Sequence, residues 1–490
     1  MDVHGGSKKA MTTLRHQAAK GVKWTAISRA GRLGAQFLTT AILARLLSPD
    51  DFGLVGMALV VLGFLNIFKD LGTSAAIIQR KKIEDPLISS IFWLNVGFGA
   101  VATIILFAGA PLIASFYHEP RLTSVMQVFA TTFILSGLGI VQNALLQRSL
   151  AFNKLAKIEL TAIIFGSTLG ITLAAMGAGV WSLVIQTIST VFLTTVFLWL
   201  QSNWRPKLKF DWLELKTILS YSLNLTGFNI LNFLSRNIDY LLIGRYLGAT
   251  ALGYYTLAYQ ILLFPVQNIS AVVSKVMFPV YSKIQTDNAY FSRVYLDVAS
   301  TIAFFTFPLM MGAFLLAHPL VSVIFGEKWA QSAFLIQILA PVGAIQSIAA
   351  TVGLIYQAKG RTDWLLRWGI FSVSIVIVAF LVGIRYGLIG VALAYSVAIM
   401  LLTYPGFAIP FRLIELKFLD LVEVLKLHLL NTLAMGLIIY TYLIFLSSHF
   451  SEVINLTLAV TLGVTAYLVS NYMINRQQLI DLTVKAKLLF

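Results

Sequence analysis

RLLSPDDFGLVGMALVVLGF, residues 45–64, returns two hundred positions later as RYLGATALGYYTLAYQILLF, residues 245–264. Without a gap, Arg45 falls on Arg245, Leu47 on Leu247, Gly53 on Gly253, Ala58 on Ala258, Leu62 on Leu262 and Phe64 on Phe264, and further along Ser74 falls on Ser274. Each copy closes one apolar run with an arginine and opens the next after a short turn. The first and seventh apolar spans therefore read as equivalent elements of an internal repeat, with coincidence in a low-diversity apolar sequence as the alternative. Because six spans lie between them, both copies enter a membrane in the same direction, which makes the repeat parallel, about an axis along the membrane normal.

Outward from this segment the chain stays apolar. Of its 490 residues 58% are hydrophobic and 11% charged, far from the roughly 25% charged of soluble domains. A bilayer core of about 30 Å takes roughly 20 apolar residues per helix. Reading runs bounded by charge or turn residues gives fourteen spans: Val22 to Leu47, Phe52 to Ile78, Leu87 to Phe116, Leu122 to Leu146, Ile158 to Met176, Val180 to Leu200, Leu219 to Leu247, Leu252 to Tyr281, Val298 to Phe325, Ala333 to Tyr356, Leu365 to Val382, Leu388 to Ile409, Leu427 to Leu446 and Leu456 to Ile474. Kinks are expected at Pro265, Pro308 and Pro341. The fold class is all-α: a polytopic membrane protein of two pseudo-symmetric six-helix lobes plus two C-terminal helices. No large soluble domain has room, and no cleavable signal peptide is visible, since the first twenty residues are polar and the first apolar run lacks a cleavage site. Met11 offers a second plausible start besides Met1.

The net charge of +16 raises nucleic acid as a partner in a soluble protein, but the placement of the charges argues against it. Lys and Arg fall into two alternating classes of loop. One class holds twenty-six of them, from Lys8 at the N-terminal end through Arg80, Arg148, Arg205, Lys283, Lys359 and Arg412 to Lys487; the other holds five, Arg45, Arg121, Arg245, Lys328 and Arg385. Positive loops stay cytoplasmic, so both termini are expected on the cytoplasmic side of the membrane. Topology accounts for the charge, and nucleic acid is not called for.

The expected organisation is a cytoplasmic segment 1–21, an N-lobe 22–201, an interfacial linker 202–218, a C-lobe 219–410, an amphipathic linker 411–426, two further spans within 427–475 and a cytoplasmic tail 476–490. Trp204, Phe210 and Trp212 among Arg205, Lys207, Lys209 and Lys216 give the first linker its headgroup character.

Within the first span Arg29, Arg32, Gln36 and Thr39 recur at helical spacing and line one face, and the seventh span carries Asn229, Asn232, Arg236 and Asp239 at the corresponding positions. Arginine near a bilayer centre costs roughly 2.5–3.5 kcal/mol on insertion scales, so these groups face protein or water rather than lipid. Arg29, Arg32, Gln36, Asn229, Asn232 and Arg236 are the candidate substrate-binding residues of a cleft that attracts an anionic headgroup, and Asp239 is the candidate for ion coupling. Buried salt bridges and interhelical hydrogen bonds, with Arg29 snorkelling, are the structural alternative. Lys69, Asp70 and Lys275 read as snorkelling or helix-breaking groups. Arg45 and Arg245 read as helix ends, with gate residues as the alternative.

Other chemistry finds little support. There is no cysteine, the six histidines are scattered, and no metal site is expected. No phosphate-cradling G-x-x-x-x-G-K-[ST] occurs, and the G-x-G-x-x-A starting at Gly97 lies inside an apolar run, so no nucleotide and no other cofactor is expected. Sequons at Asn224, Asn268 and Asn455 carry little weight.

The stretches ILARLLSPDDFGLVGMALV, DLGTSAAIIQRKKI, IDYLLIGRYLGATALGYYTLAYQILLFPVQNI, VMFPVYSKIQ and VIFGEKW together resemble the Wzx-type polysaccharide exporters, close to the colanic acid exporter subgroup, over about Met11 to Arg412. The resemblance implies the multidrug, oligosaccharidyl-lipid and polysaccharide exporter superfamily, with two six-helix lobes about a central cleft. It also implies a substrate: an oligosaccharide on undecaprenyl diphosphate, whose headgroup suits an arginine stripe. Membrane lipids are implied partners, with a polysaccharide polymerase and glycosyltransferases as further candidates. A drug or cation antiporter of the same superfamily is the nearer rival, and would favour acidic cavity residues. An integral-membrane polymerase or ligase is the rival of another class, for which the outer loops offer no catalytic constellation.

Overall fold

The computed structural model describes residues 29–67, 73–80, 83–208 and 212–474. Ser48-Pro49-Asp50-Asp51 carries the signals that open a helix, and one opens there. The Asp51 N–H donates to Ser48 Oγ at 3.2 Å, the Ser48 N–H donates to the Asp51 carboxylate at 2.9 Å, and Pro49 occupies the first turn, where no donor is missed.

Helix α1 covers residues 29–46. It is followed by α2 (Pro49–Asn66), α3 (Thr73–Gln79), α4 (Asp85–Tyr117), α5 (Arg121–Arg148), α6 (Phe152–Ala175), α7 (Val180–Gln201) and α8 (Trp212–Pro265). The second half holds α9 (Ala271–Lys283), α10 (Asn288–Leu315), α11 (Ala317–Ile324), α12 (Ala330–Ala349), α13 (Gly353–Ala358), α14 (Thr362–Ile384), α15 (Gly387–Phe411), α16 (Phe418–Phe445) and α17 (Glu452–Ile474). No strand occurs among the described residues.

Twelve helical stretches among the described residues are long and apolar enough to cross a membrane, against the fourteen spans expected. The difference has two sources. The first expected span is described only from residue 29 onward, and the seventh and eighth run into one another as α8, where a single stretch, Asn237–Ser270, meets the length and hydropathy requirement. α8 is broken once, at Gly248, with φ 84° and ψ −178°, a conformation side chains other than hydrogen rarely adopt. Its counterpart at the offset of two hundred is Ser48, the cap between α1 and α2, so the two copies interrupt their helices at equivalent positions.

Of the prolines expected to kink, Pro265 is followed at once by a π-helical turn, Val266–Ser270, the usual mark of a disturbed hydrogen-bond ladder. Pro308 and Pro341 lie inside α10 and α12.

The chain divides into two compact units, Met1–Gly253 and Tyr254–Phe490. In the first, hydroxyl, amide and indole groups tie the helices together across apolar faces. Thr103 on α4 donates to Ala130 O at 2.8 Å, while Thr195 and Trp199 on α7 donate to Leu135 O and Leu138 O on α5. With no water in hydrocarbon, such interhelical bonds are the natural partners for these groups.

The segment after α7 is pinned to the same unit. Arg205 donates to the carbonyls of Ser202, Trp204 and Trp199 and stacks on the Trp199 ring, Trp93 Nε1 donates to Lys207 O at 3.0 Å, and Lys207 pairs with Asp85 at 2.9 Å. The expected headgroup-level segment is thus fastened to α4 and α7, by its own Arg205 and Lys207 and by Trp93 and Trp199 of those helices.

The second unit is built around α10. Tyr281, Phe291, Tyr295, Tyr356 and Phe411 form its fully buried aromatic core. At the other face α16 and α17 dock through polar contacts: Ser300 hydrogen-bonds His428 at 2.7 Å, Tyr467 donates to Phe304 O at 2.9 Å, and Asn431 Nδ2 donates to Asn471 Oδ1 at 3.0 Å. The last two spans belong to this unit's packing.

Candidate functional site

Helical periodicity places Arg29, Arg32, Gln36 and Thr39 on one side of α1, and their surroundings differ along it. Arg29 is half-buried, Arg32 and Gln36 are exposed, and Thr39 is buried. The polar stripe is thus open in its middle and closed toward α2.

Arg32 has a partner that the sequence reading passed over. Its Nη1 lies 3.9 Å from Glu159 Oε2 on α6, and both side chains keep a large share of their surface, 48% and 41%. Next to this pair a Cβ on Gly31 would stand 3.0 Å from Leu160 Cδ2, so α1 meets α6 at two consecutive positions. The signal was present in the sequence: a carboxylate inside the expected span Ile158 to Met176, where an unpaired charge is expensive.

The seventh-span residues lie on α8. The side chains of Asn229, Asn232 and Arg236 lie outside the described residues, as do Lys69, Asp70 and the side chain of Lys275. Asp239 is 3% exposed, and its Oδ1 accepts the N–H of Tyr240 at 2.9 Å. Among the candidates, the described residues bring together Arg32 and a carboxylate that was not among them.

A second polar constellation gathers where α1 gives way to α2. Gly53 meets the backbone of Ala249 so closely that a Cβ would fall 1.7 Å from its carbonyl oxygen, and Gly253 meets Pro49 in the same way, at 1.8 Å. Only glycine permits either approach. The two contacts exchange roles under the repeat, since Gly53 and Gly253, like Pro49 and Ala249, are two hundred positions apart. Beside them Thr250 Oγ1 donates to Asp50 Oδ1 at 3.2 Å, and Arg121 reaches both Asp50 and Glu119 at 2.8 Å. The Arg121 hydrogen bonds hold the Glu119 carboxyl below its ordinary value.

Arg245 lies against His118 and over the Phe116 ring at the end of α4, while Arg45, in the last turn of α1, is exposed. Arg245 therefore does more than end a helix. Arg245 holds the α4 terminus, whose His118 sits at φ 55°. Among the described residues no group of three or more His, Cys, Asp or Glu could hold a metal ion.

Chemically, an exposed guanidinium with a loose carboxylate partner and a neighbouring carboxamide suits reversible binding of an anion. The arrangement offers no activated nucleophile.

The polysaccharide biosynthesis protein family matches residues 42–334. The chain is similar to the teichuronic acid biosynthesis protein TuaB of Bacillus subtilis, 30% identical over 93% of this chain and 95% of that one. It is also similar to the lipopolysaccharide biosynthesis protein WzxC of Escherichia coli, 29% identical over 78% of each. Among solved structures it resembles the lipid II flippase MurJ in an inward closed conformation, with a TM-score of 0.71 at 17% identity, covering 94% of this chain and 100% of that one. That likeness fixes the fold: this is a multi-pass, all-α membrane protein of the same architecture. With the family match across more than half of the sequence and a relative at 30% identity along nearly all of it, the chain belongs to the polysaccharide biosynthesis protein family.

Proposed function

We propose that the protein is a flippase that carries an oligosaccharide on undecaprenyl diphosphate across the bacterial cytoplasmic membrane, for the assembly of a surface polysaccharide. The observation that carries this reading is the open middle of the α1 stripe, Arg32 and Gln36 exposed within the first expected span. A guanidinium there is too costly to face lipid and has the fork geometry that grips a phosphate. Relatives named for teichuronic acid and lipopolysaccharide biosynthesis, and the fold shared with a lipid II flippase, point to the same class of cargo.

In this reading the two repeats alternately expose their polar stripes to either side, with the termini in the cytoplasm and the lipid tail left in the bilayer. Arg29, Arg32, Gln36, Asn229, Asn232 and Arg236 hold the headgroup, and Asp239 serves ion coupling. The protein is a carrier: it breaks no bond in its cargo. The lobes run over 22–201 and 219–410, and α16 and α17 are an addition to the second. Glycosyltransferases act before it and a polymerase after it.

The test is transport by reconstituted vesicles of a fluorescent lipid-linked oligosaccharide, with Arg32→Ala and Arg236→Ala compared with the unmodified protein. Transport falling at least tenfold in each at normal protein levels supports the reading. Unchanged transport in both removes the stripe from the mechanism.

A further inference from the structure

Glu159 of α6 faces Arg32 of α1, its Oε2 3.9 Å from the Arg32 Nη1. Arg32 is thirteen residues from Arg45 along α1, about 20 Å at 1.5 Å per residue, and Glu159 is sixteen residues from the far end of α6, about 24 Å. Both depths fall within the roughly 30 Å of hydrocarbon. Packing of α1 on α6 does not need the carboxylate, because Gly31 against Leu160 already supplies an apolar contact at the same level.

The pair also differs from two other ion pairs among the described residues of the first unit. Arg121–Asp50 and Lys207–Asp85 close to 2.8 and 2.9 Å, whereas Arg32–Glu159 stands at 3.9 Å with more than two fifths of each side chain open. A pair that serves only packing closes up and satisfies its donors. This one neutralises charge while leaving most of the guanidinium's five N–H donors for something else.

We propose that Glu159 is the resident counter-anion of Arg32, displaced by an incoming diphosphate and returning to the guanidinium when the diphosphate leaves. The proposal rests on the flippase reading and deepens it. A phosphate oxygen pair grips guanidinium bidentately at about 2.7–2.9 Å and outcompetes the loose carboxylate. On release the carboxylate reclaims Arg32, so the arginine is never left bare in the membrane. Glu159 thus weakens the hold on cargo and speeds its departure, which a carrier needs as much as capture.

The experiment uses the full chain in lipid nanodiscs and two probes, undecaprenyl diphosphate and inorganic pyrophosphate, with Kd measured for the unmodified protein, Glu159→Gln, Glu159→Asp, Arg32→Ala and Arg32→Ala/Glu159→Gln. Vesicle transport is measured on the same set, and size-exclusion profiles confirm folding. Glu159→Gln is expected to tighten undecaprenyl diphosphate binding by about three- to fivefold, the equivalent of a modest ion pair, while slowing transport. Glu159→Asp is expected to behave as the unmodified protein, and the tightening is expected to vanish in the double variant.

The same pattern with pyrophosphate assigns recognition to the diphosphate itself; the pattern with the lipid alone assigns it to the membrane-anchored headgroup. Binding that Arg32→Ala weakens but Glu159→Gln leaves unchanged overturns this inference while keeping the flippase reading, as does tightening that persists without Arg32. Failure of the unmodified protein to bind either probe overturns both.

Discussion

Asp50 and Thr250, two hundred residues apart in the chain, share a hydrogen bond of 3.2 Å. They occupy the same position in the two copies of the repeat. The reciprocal contacts of Gly53 with Ala249 and of Gly253 with Pro49 lie around the same point.

The chain has no cysteine, so Asp50→Cys/Thr250→Cys introduces the only two thiols. Mild oxidation is expected to join them, seen as a mobility shift on a gel after cleavage-free denaturation. If the two segments must part during transport, the oxidised protein stops translocating and a reductant restores it.

Alanine at Gly53 or Gly253 places a Cβ below 2 Å from a backbone oxygen, and no rotamer relieves a Cβ. Each substitution is expected to cost about 1–3 kcal/mol, the range of overpacking, read as a lower Tm in detergent. Gly109→Ala, inside α4 with nothing within 4 Å, is the control. It is expected to be neutral or stabilising by up to about 1 kcal/mol, because alanine is the better helix former.

How much of this was legible in the sequence can be judged from particular residues. Apolar runs identified most of the helices because hydrocarbon demands whole spans of them. The break at Gly248 was legible too, since the repeat closes the seventh span at Leu247 and opens the eighth at Leu252, on either side of the residue whose positive φ interrupts α8. The repeat was visible as matched letters, but the approach of Gly53 to Ala249 depends on a backbone-to-backbone distance that no pattern of side chains encodes. Periodicity put Arg32 and Thr39 on one face, yet one is open and the other buried, because burial depends on which neighbours reach each level. Glu159 was readable as an intramembrane acid, while its pairing with Arg32 required the fold.

Orientation can be checked with single thiols. Met176, in the turn between α6 and α7, and Leu208, beyond α7, are 77% and 92% exposed. With the termini cytoplasmic, a membrane-impermeant maleimide is expected to label Met176→Cys on intact cells and Leu208→Cys only after permeabilisation. The reverse pattern inverts the topology.

In the second unit, Asn431 donates to Asn471 at 3.0 Å and accepts from Ser470 at 2.6 Å, all between α16 and α17. Asn471→Leu is expected to cost about 0.6–1.7 kcal/mol, the measured span for such bonds in membranes. Asn431→Leu/Asn471→Leu is expected to lose less than the sum of the two singles, because it leaves no orphaned amide. Thermal melts of the three variants decide it.

Glu119 supplies a pH test. Arg121 holds its folded pKa below the ordinary 4.5, so its stabilising contribution is complete above that pH and fades as the pH falls through the lower, folded value. Glu119→Gln is therefore expected to lower Tm slightly at pH 6, with the gap to the unmodified protein narrowing as acidification proceeds below 4.5. A gap that widens in acid contradicts the pairing.

The reciprocal glycines have a consequence for how such a chain can arise. A contact in which patch A touches patch B′ while patch B touches patch A′ is isologous, the kind by which two identical subunits recognise each other. It requires one self-complementary surface to be invented, because copying the gene supplies the mate. A half-length ancestor with six spans could have made this crossing as a homodimer, and fusion of its two genes would have preserved it inside a single polypeptide, free thereafter to let Asp50 and Thr250, or Arg32 and its counterpart Asn232, diverge.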